Sequence, residues 1–143
     1  RGNSDNTLAN GVVIAPGNEC LRLNGSGAAP VTLTARSVVL QCNATKFLGS
    51  GSLTAAQVAT AFGTGTNANN DAFSPTLASL FINGSAETAV TAFNPTALSS
   101  FFDATTWIGA VRNAQDTWFA GWTCNSATAN LSGASACTSL PTT

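Results

Sequence analysis

All three tryptophans of this chain, and one of its four cysteines, lie within residues 103–124, DATTWIGAVRNAQDTWFAGWTC. The runs WIGAV and TWFAGWT are rich in β-forming residues and flank a polar five-residue link, which predicts a hairpin. Because alternate strand residues point to the same side, Trp118 and Trp122 would share one face. Together with Trp107 they are either core aromatics or a platform on which sugar rings stack. The chain has few other large side chains, so we expect the core.

Charged residues are scarce. They make up 8% of the 143 residues, against roughly a quarter in ordinary soluble proteins, and the formal net charge is −1. The five basic residues are scattered, so the sequence offers no positive surface for nucleic acid or an acidic membrane. No apolar run approaches the ~20 residues of a membrane span. We expect a single domain that binds no nucleic acid and does not span a membrane.

The chain contains no methionine, even at position 1. We therefore expect that a signal peptide or propeptide has been removed and that the protein is extracellular or at the cell surface. In that setting an even number of cysteines favours disulfides. Proximity in sequence favours the pairs Cys20–Cys42 and Cys124–Cys137, and the second bridge would order a Ser/Ala-rich tail.

The N-terminal arm, residues 1–15, begins with a polar stretch and ends in the β-prone run GVVIA, which the turn signal PG isolates. We expect residues 16–143 to form a single disulfide-stabilised domain. The strand of the arm would have unpaired backbone groups, so it either pairs within its own domain or adds to the sheet edge of a neighbouring subunit. Its candidate assembly residues are Val12, Val13 and Ile14.

Helix-start patterns follow the β-prone N-terminal region. Thr54 and Gln57 form a Thr-x-x-Gln capping-box pattern and Gly63 is a natural terminator, which predicts a helix at residues 54–62. The predicted fold class is α+β, a β-rich single domain with short helices and a C-terminal hairpin that bears the tryptophans. The other predicted elements are strands at residues 20–23, 31–36, 37–42 and 89–93 and Pro-initiated helices at residues 74–81 and 94–101.

Residues 89–124 contain the series AVTAFNP, FF, WIGAV and DTW-x-x-GWTC. This series resembles the C-terminal region of uncharacterised secreted surface proteins of Gram-negative bacteria, some of which carry β-helix-like regions upstream. Trp107 stands where those proteins more often have Tyr or Phe. The resemblance implies an extracellular or cell-surface setting and implies no activity.

The chain lacks the residues of several catalytic chemistries. Without histidine it cannot form a Ser-His-Asp site, a Cys-His site or a His-containing zinc site. Its acidic residues are dispersed, and it has no phosphate-binding glycine loop and no Cys-x-x-Cys pair. The Asn-rich loop at residues 63–71 lacks the spacing of a calcium site. We expect no enzyme activity, no catalytic residue, no cofactor and no bound metal.

The leading functional interpretation is a non-enzymatic structural subunit of an extracellular homopolymer, a filament or matrix, with the N-terminal strand as connector. The alternative is a carbohydrate-binding or adhesive surface module that uses Trp118 and Trp122 for stacking. Asn-x-Ser/Thr sequons also leave glycosylation open. They lie at Asn24, Asn43, Asn83 and Asn130.

Overall fold

The computed structural model of the protein describes residues 2–124. Within this range six short strands are followed by two helices and one 3₁₀ helix, which confirms the β-rich α+β class. The strands are β1 (Asp5–Ala9), β2 (Val12–Ala15), β3 (Leu21–Asn24), β4 (Thr32–Arg36), β5 (Val39–Cys42) and β6 (Phe47–Ser50). The helices are α1 (Ala55–Phe62), α2 (Ser85–Thr88) and the 3₁₀ helix Pro95–Ala97.

The strands form three parallel pairs with nearly constant spacing in sequence. β1 pairs with β4, β2 with β5, and β3 with β6. Asp5 lies opposite Thr32, 27 positions further along the chain. Leu21 lies opposite Phe47, 26 positions further. The chain therefore winds into two stacked coils with three faces, a short parallel β-solenoid with β1 to β3 in the first coil and β4 to β6 in the second.

A third rung continues one face of the solenoid. Val39 in β5 forms a parallel bridge with Asn70. The Leu40 N–H donates to the Asn70 carbonyl at 2.8 Å, and the Phe73 N–H donates to the Leu40 carbonyl at 3.0 Å. The outer side of β5 is therefore occupied by residues 70–73.

One corner of the solenoid is a stack of residues with left-handed backbone. Asn10, Ser37 and Asn67 have φ angles of 53°, 56° and 52°, and asparagine tolerates this conformation better than most residues. The Ser37 N–H donates to the Asn67 carbonyl at 2.8 Å. The Asn10 side-chain amide also exchanges two 2.8 Å hydrogen bonds with the backbone of Phe93. This corner therefore holds the second half of the chain against the solenoid.

Helix α1 closes the interior at the second coil. As predicted, the Gln57 N–H donates to Thr54 Oγ1 at 3.3 Å and the Thr54 N–H donates to Gln57 Oε1 at 2.8 Å. Gly63 ends the helix with a φ of 69°. The helix packs against β4 and β6 and turns Val58 and Phe62 into the interior. The buried core residues here are Leu23, Val31, Ala35, Val38, Leu40, Val58 and Phe62.

The first predicted disulfide, Cys20–Cys42, is confirmed. The two Cα atoms lie 5.5 Å apart, and the bond joins the start of β3 to the end of β5 and so links the two coils. Both cysteines pack against the buried interior cluster. Cys137 lies outside the described residues, so the Cys124–Cys137 bridge stays a prediction.

The N-terminal arm pairs within its own chain. The run predicted as a strand at residues 11–15 forms β2, and the polar stretch before it forms β1, which was not predicted. Both strands pair with strands of the second coil. Of the two pairings expected for the arm, the structure shows the one inside its own domain.

The predicted C-terminal hairpin is not present in the part of the chain that the structure describes. The runs WIGAV and TWFAGWT form turns and bends instead of paired strands. Gly109 and Gly121 have φ angles of 75° and 82°, which interrupt an extended backbone in both runs. Val111 instead forms a single parallel bridge with Ile82.

Residues 74–124 contain little regular structure. The helix predicted at residues 74–81 is replaced by irregular backbone and a turn at residues 79–81, and the one at residues 94–101 is reduced to the 3₁₀ helix Pro95–Ala97. The strand predicted at residues 89–93 is not formed. Short helices depend on burying an apolar face, and both segments leave large apolar side chains exposed. Among the described residues, no helix is long and apolar enough to cross a membrane.

Candidate functional site

The first coil has a strand partner on one side only. Within residues 2–124, β1, β2 and β3 pair with the second coil and with no other strand. The Asn10 N–H donates to the Arg36 carbonyl at 3.0 Å. The Thr32 N–H donates to the Ser4 carbonyl at 3.0 Å. The even-numbered residues of β1 therefore bond to β4. The backbone groups of the odd-numbered residues of β1 therefore point away from β4. We call the hydrogen-bonding sides of β1, β2 and β3 that face away from the second coil the first-coil edge.

The interior of the solenoid is less well covered at the first-coil edge. Leu8 lies opposite Ala35 in the β1–β4 register and points inward like it. Ala35 is buried, whereas Leu8 keeps 38% of its surface exposed. At the second coil, Phe62 of α1 covers the same interior. Within the described residues, the solenoid therefore has a closed end at the second coil and an open end at the first.

The first-coil edge carries few charges. Its strands contain Asp5 in β1 and Arg22 in β3, and β2 contains none. The Arg22 Nε–H donates to Glu19 Oε1 at 3.0 Å, and this side-chain hydrogen bond lowers the pKa of Glu19. Asp5 accepts a hydrogen bond from the Thr32 hydroxyl. Proteins commonly protect sheet edges with lysine or proline, and β1, β2 and β3 contain neither.

The three candidate assembly residues of β2 do not share one surface. Val13 points inward and packs against the buried interior cluster. The side chain of Val12 points away from the interior. Gly109 lies so close to Val12 that a Cβ added to this glycine would come within 3.3 Å of Val12 Cγ2. The later part of the chain therefore covers Val12. Ile14 also points outward, is 40% exposed and lines a groove with Leu77. Association through β2 would therefore use its backbone and, of these three side chains, that of Ile14.

The tryptophan prediction is corrected at two positions. Trp118 and Trp122 are 63% and 86% exposed, so neither is a core residue. The Trp118 Nε1–H donates to the Ala110 carbonyl at 2.8 Å, which fixes the orientation of this ring. Trp107 is half-buried, and the Arg112 guanidinium lies 5.3 Å from its ring centroid in a cation–π contact.

The aromatic residue that enters the core in this region is Phe119, which the sequence analysis did not single out. Its side chain is 7% exposed, and its ring meets Phe81 edge to face with centroids 5.5 Å apart. The alternation of the predicted strand placed Phe119 on the face opposite the tryptophans. A prediction that the face of Phe119 is buried would have identified this residue as part of the core.

Substituting these neighbouring aromatic residues should have very different effects on stability. Trp122→Ala should change the free energy of unfolding by less than about 0.5 kcal/mol, because the side chain is exposed. Phe119→Ala should lower it by about 3 kcal/mol, because it leaves a cavity against Phe81. Urea unfolding of both variants measures the contrast. A loss on Trp122→Ala as large as that on Phe119→Ala would contradict this exposure.

The buried carboxylate of Glu87 was also missed. Its Oε1 accepts the Thr76 N–H at 2.8 Å, and its Oε2 accepts the Thr76 hydroxyl and the Gly84 N–H, each at 2.9 Å. Burial raises the pKa of Glu87, but the hydrogen bonds from the Thr76 and Gly84 backbones and from the Thr76 hydroxyl outweigh it, so the pKa lies below its ordinary value. The carboxylate therefore joins two irregular segments as a structural clamp.

The Glu87 clamp should make stability depend on pH in the acid range. Because its pKa is lower in the folded state, the stabilisation is complete above the ordinary value of 4.5 and is lost as the pH falls through the folded-state pKa. Glu87→Gln should cost about 2 kcal/mol at pH 7, since an amide donor would face Thr76 and Gly84, and should flatten the acid limb. Urea unfolding between pH 2 and pH 7 checks this. Parallel curves for both proteins would contradict it.

The remaining groups of functional interest are the potential metal ligands and the asparagines of the sequons. No group of three or more metal-ligating side chains occurs in the described part of the chain. Among the sequons, Asn83 is buried and its Nδ2 donates to the Ile108 carbonyl at 2.7 Å, so it is closed to a glycan. Asn24 and Asn43 are half-buried, with each Oδ1 accepting a backbone N–H two residues on. Asn130 lies outside the described residues.

The known proteins add no relative to these observations. Comparison with protein-family models, with curated proteins and with solved structures found no match to this chain.

Proposed function

We propose that the protein is a non-enzymatic structural subunit of an extracellular or cell-surface homopolymer, and that it associates through its first-coil edge. The observation that carries this proposal is the difference between the two ends of the solenoid. Helix α1 covers the interior at the second coil, whereas β1, β2 and β3 have unpaired outer sides within the described residues. An unprotected sheet edge is a template for pairing with another chain.

A polymer needs a second contact, and the later half of the chain offers one. Large apolar side chains stand exposed there, far in sequence from the first coil, and nearby charges are few. A surface with a net charge near zero does little to oppose association. The large apolar residues exposed in this half are Leu80, Leu98, Phe101, Phe102, Trp118 and Trp122.

The proposed location outside the cell is supported by the disulfide. Cys20–Cys42 links the two coils, and such bonds persist in oxidising compartments. Because backbone hydrogen bonds depend little on side-chain charge, assembly should change little with salt concentration.

Negative-stain microscopy and sedimentation velocity over a concentration series test the proposed function. The expected result is a regular polymer whose amount rises with protein concentration and is similar at low and high salt. A protein that remains monomeric at millimolar concentration would overturn the proposal.

A carbohydrate-binding or adhesive module is the second candidate, because of the exposed tryptophans. The hydrogen bond from Trp118 to Ala110 holds one exposed ring in a fixed orientation, as a stacking platform requires. Tryptophan fluorescence of the wild type and of Trp122→Ala, titrated with oligosaccharides, separates the two functions. Saturable quenching that is lost in the variant would favour the adhesive module, and an unchanged spectrum would count against it.

A further inference from the structure

We propose that the first-coil edges of two copies pair with each other about a two-fold axis, so that each of β1, β2 and β3 runs antiparallel to the strand of the second copy that it meets. This inference rests on the proposed function and specifies how the first contact of the assembly is made. The polymer would then consist of two-fold pairs joined through a second surface.

The shape of the open end selects another solenoid coil as its partner. Three strand edges end there together, and the inward-facing Leu8 is left partly exposed between them. A single added strand would pair with one edge and leave the other two, and Leu8, uncovered. A coil of the same three-sided cross-section pairs with all three edges and covers the interior. A second copy of this chain supplies such a coil.

The closed end excludes head-to-tail stacking and so fixes the symmetry. In the second coil, residues 70–73 occupy the outer side of β5, and α1 packs against β4 and β6. The open end of one copy can therefore meet only the open end of the other. Two coils that meet by the same end run in opposite directions, so their strands pair antiparallel. A contact between identical surfaces is isologous and closes as a two-fold pair.

The two-fold axis can take three positions. An axis through one face of a three-sided coil pairs that face with itself and exchanges the other two. In each of the three positions every strand of the first-coil edge meets a strand of the second copy.

Within residues 2–124, no other strand pairs with the outer side of β2. The Val39 N–H donates to the Gly11 carbonyl at 2.9 Å, so the odd-numbered residues of this strand bond to β5. The N–H and C=O groups of Val12 and Ile14 therefore point to the edge. In β1 the corresponding outward N–H groups include that of Thr7.

Removing one edge donor tests the pairing. Thr7→Pro deletes an outward N–H without touching the β1–β4 ladder, and edge strands tolerate proline. Thr7→Ala is the matched control, since it shortens the same side chain but keeps the N–H. By sedimentation equilibrium the proline variant should dissociate at least tenfold more readily than the wild type and the alanine control. Circular dichroism and thermal melting report whether each variant folds.

The outcomes separate this inference from the proposed function. A polymer or dimer that forms equally well with Thr7→Pro folded overturns the inference and leaves the structural-subunit function standing. Two-fold pairs that never assemble further support the inference and overturn the homopolymer. A wild-type protein that stays monomeric at millimolar concentration overturns both, as would be expected if the edge takes another protein as partner.

Discussion

Replacing Phe62 by alanine should lower the free energy of unfolding by about 4 kcal/mol. The ring is fully buried under the second coil and packs with Phe47 at a centroid distance of 5.5 Å. It is also the contact through which α1 closes the interior beside Ala35 and Leu40. Its loss would therefore open a cavity at the closed end of the solenoid.

Thr60→Ala is the matched control for Phe62→Ala. Thr60 lies two residues earlier on the exposed side of α1, and alanine is the better helix former, so its stability should change by less than about 0.5 kcal/mol. Urea unfolding followed by circular dichroism compares both variants with the wild type. Equal stability of the two variants would mean that α1 does not cover the core.

The double variant Cys20→Ser/Cys42→Ser should lose about 3 kcal/mol of stability, which corresponds to a fall in melting temperature of roughly 10 °C for a chain of this size. The bond closes a loop with a sequence separation of 22, so it restricts the unfolded chain. Both sulfurs also pack against the interior cluster. Two serine hydroxyls would be poorly accommodated in that surrounding.

Thermal melting with and without a thiol reductant isolates the role of the Cys20–Cys42 bond. Reductant should lower the melting temperature of the wild type to near that of the double variant. It should affect the double variant much less, since the coils are then already unlinked. If the double variant had the same melting temperature as the wild type, the link between the coils would add no stability.

The local elements that the sequence predicted well are those with a signal inside a few residues. Helix α1 follows from the spacing of Thr54, Gln57 and Gly63, which supply both caps. The strands β2 to β5 follow from runs of β-branched and leucine residues. β1 was missed because DNTLA is polar, and its pairing with β4 outweighs its weak propensity.

The winding of the chain could not be predicted from the same patterns. Short alternating strands separated by turns are compatible with hairpins as well as with parallel coils. Parallel coils are distinguished from hairpins by the pairing of Asp5 with Thr32 and of Val12 with Val39. The spacing in sequence between such partners can be recognised only when the partners are known. The polar corners, with left-handed Asn10 and Ser37, carry no signal that specifies stacking.

The candidate surface was predicted in part and for a physical reason. The sequence singled out Val12, Val13 and Ile14 as an associating strand, but whether a strand lies at an edge is set by topology. The tryptophans were predicted as core because large apolar side chains usually are. Trp122 is exposed because Gly121 turns the backbone, and a turn removes the alternation on which that prediction depended.

The nearly constant spacing of the paired strands limits how the length of such a chain can diverge. One residue inserted within β4 would move Ala35 from the inside to the outside and reverse every later side chain of the strand. The β3–β6 pair is offset by 26 positions and the other two pairs by 27, so a corner has already absorbed a difference of one residue. Insertions and deletions should therefore accumulate at corners, or arrive as whole coils that lengthen the solenoid without disturbing its registers.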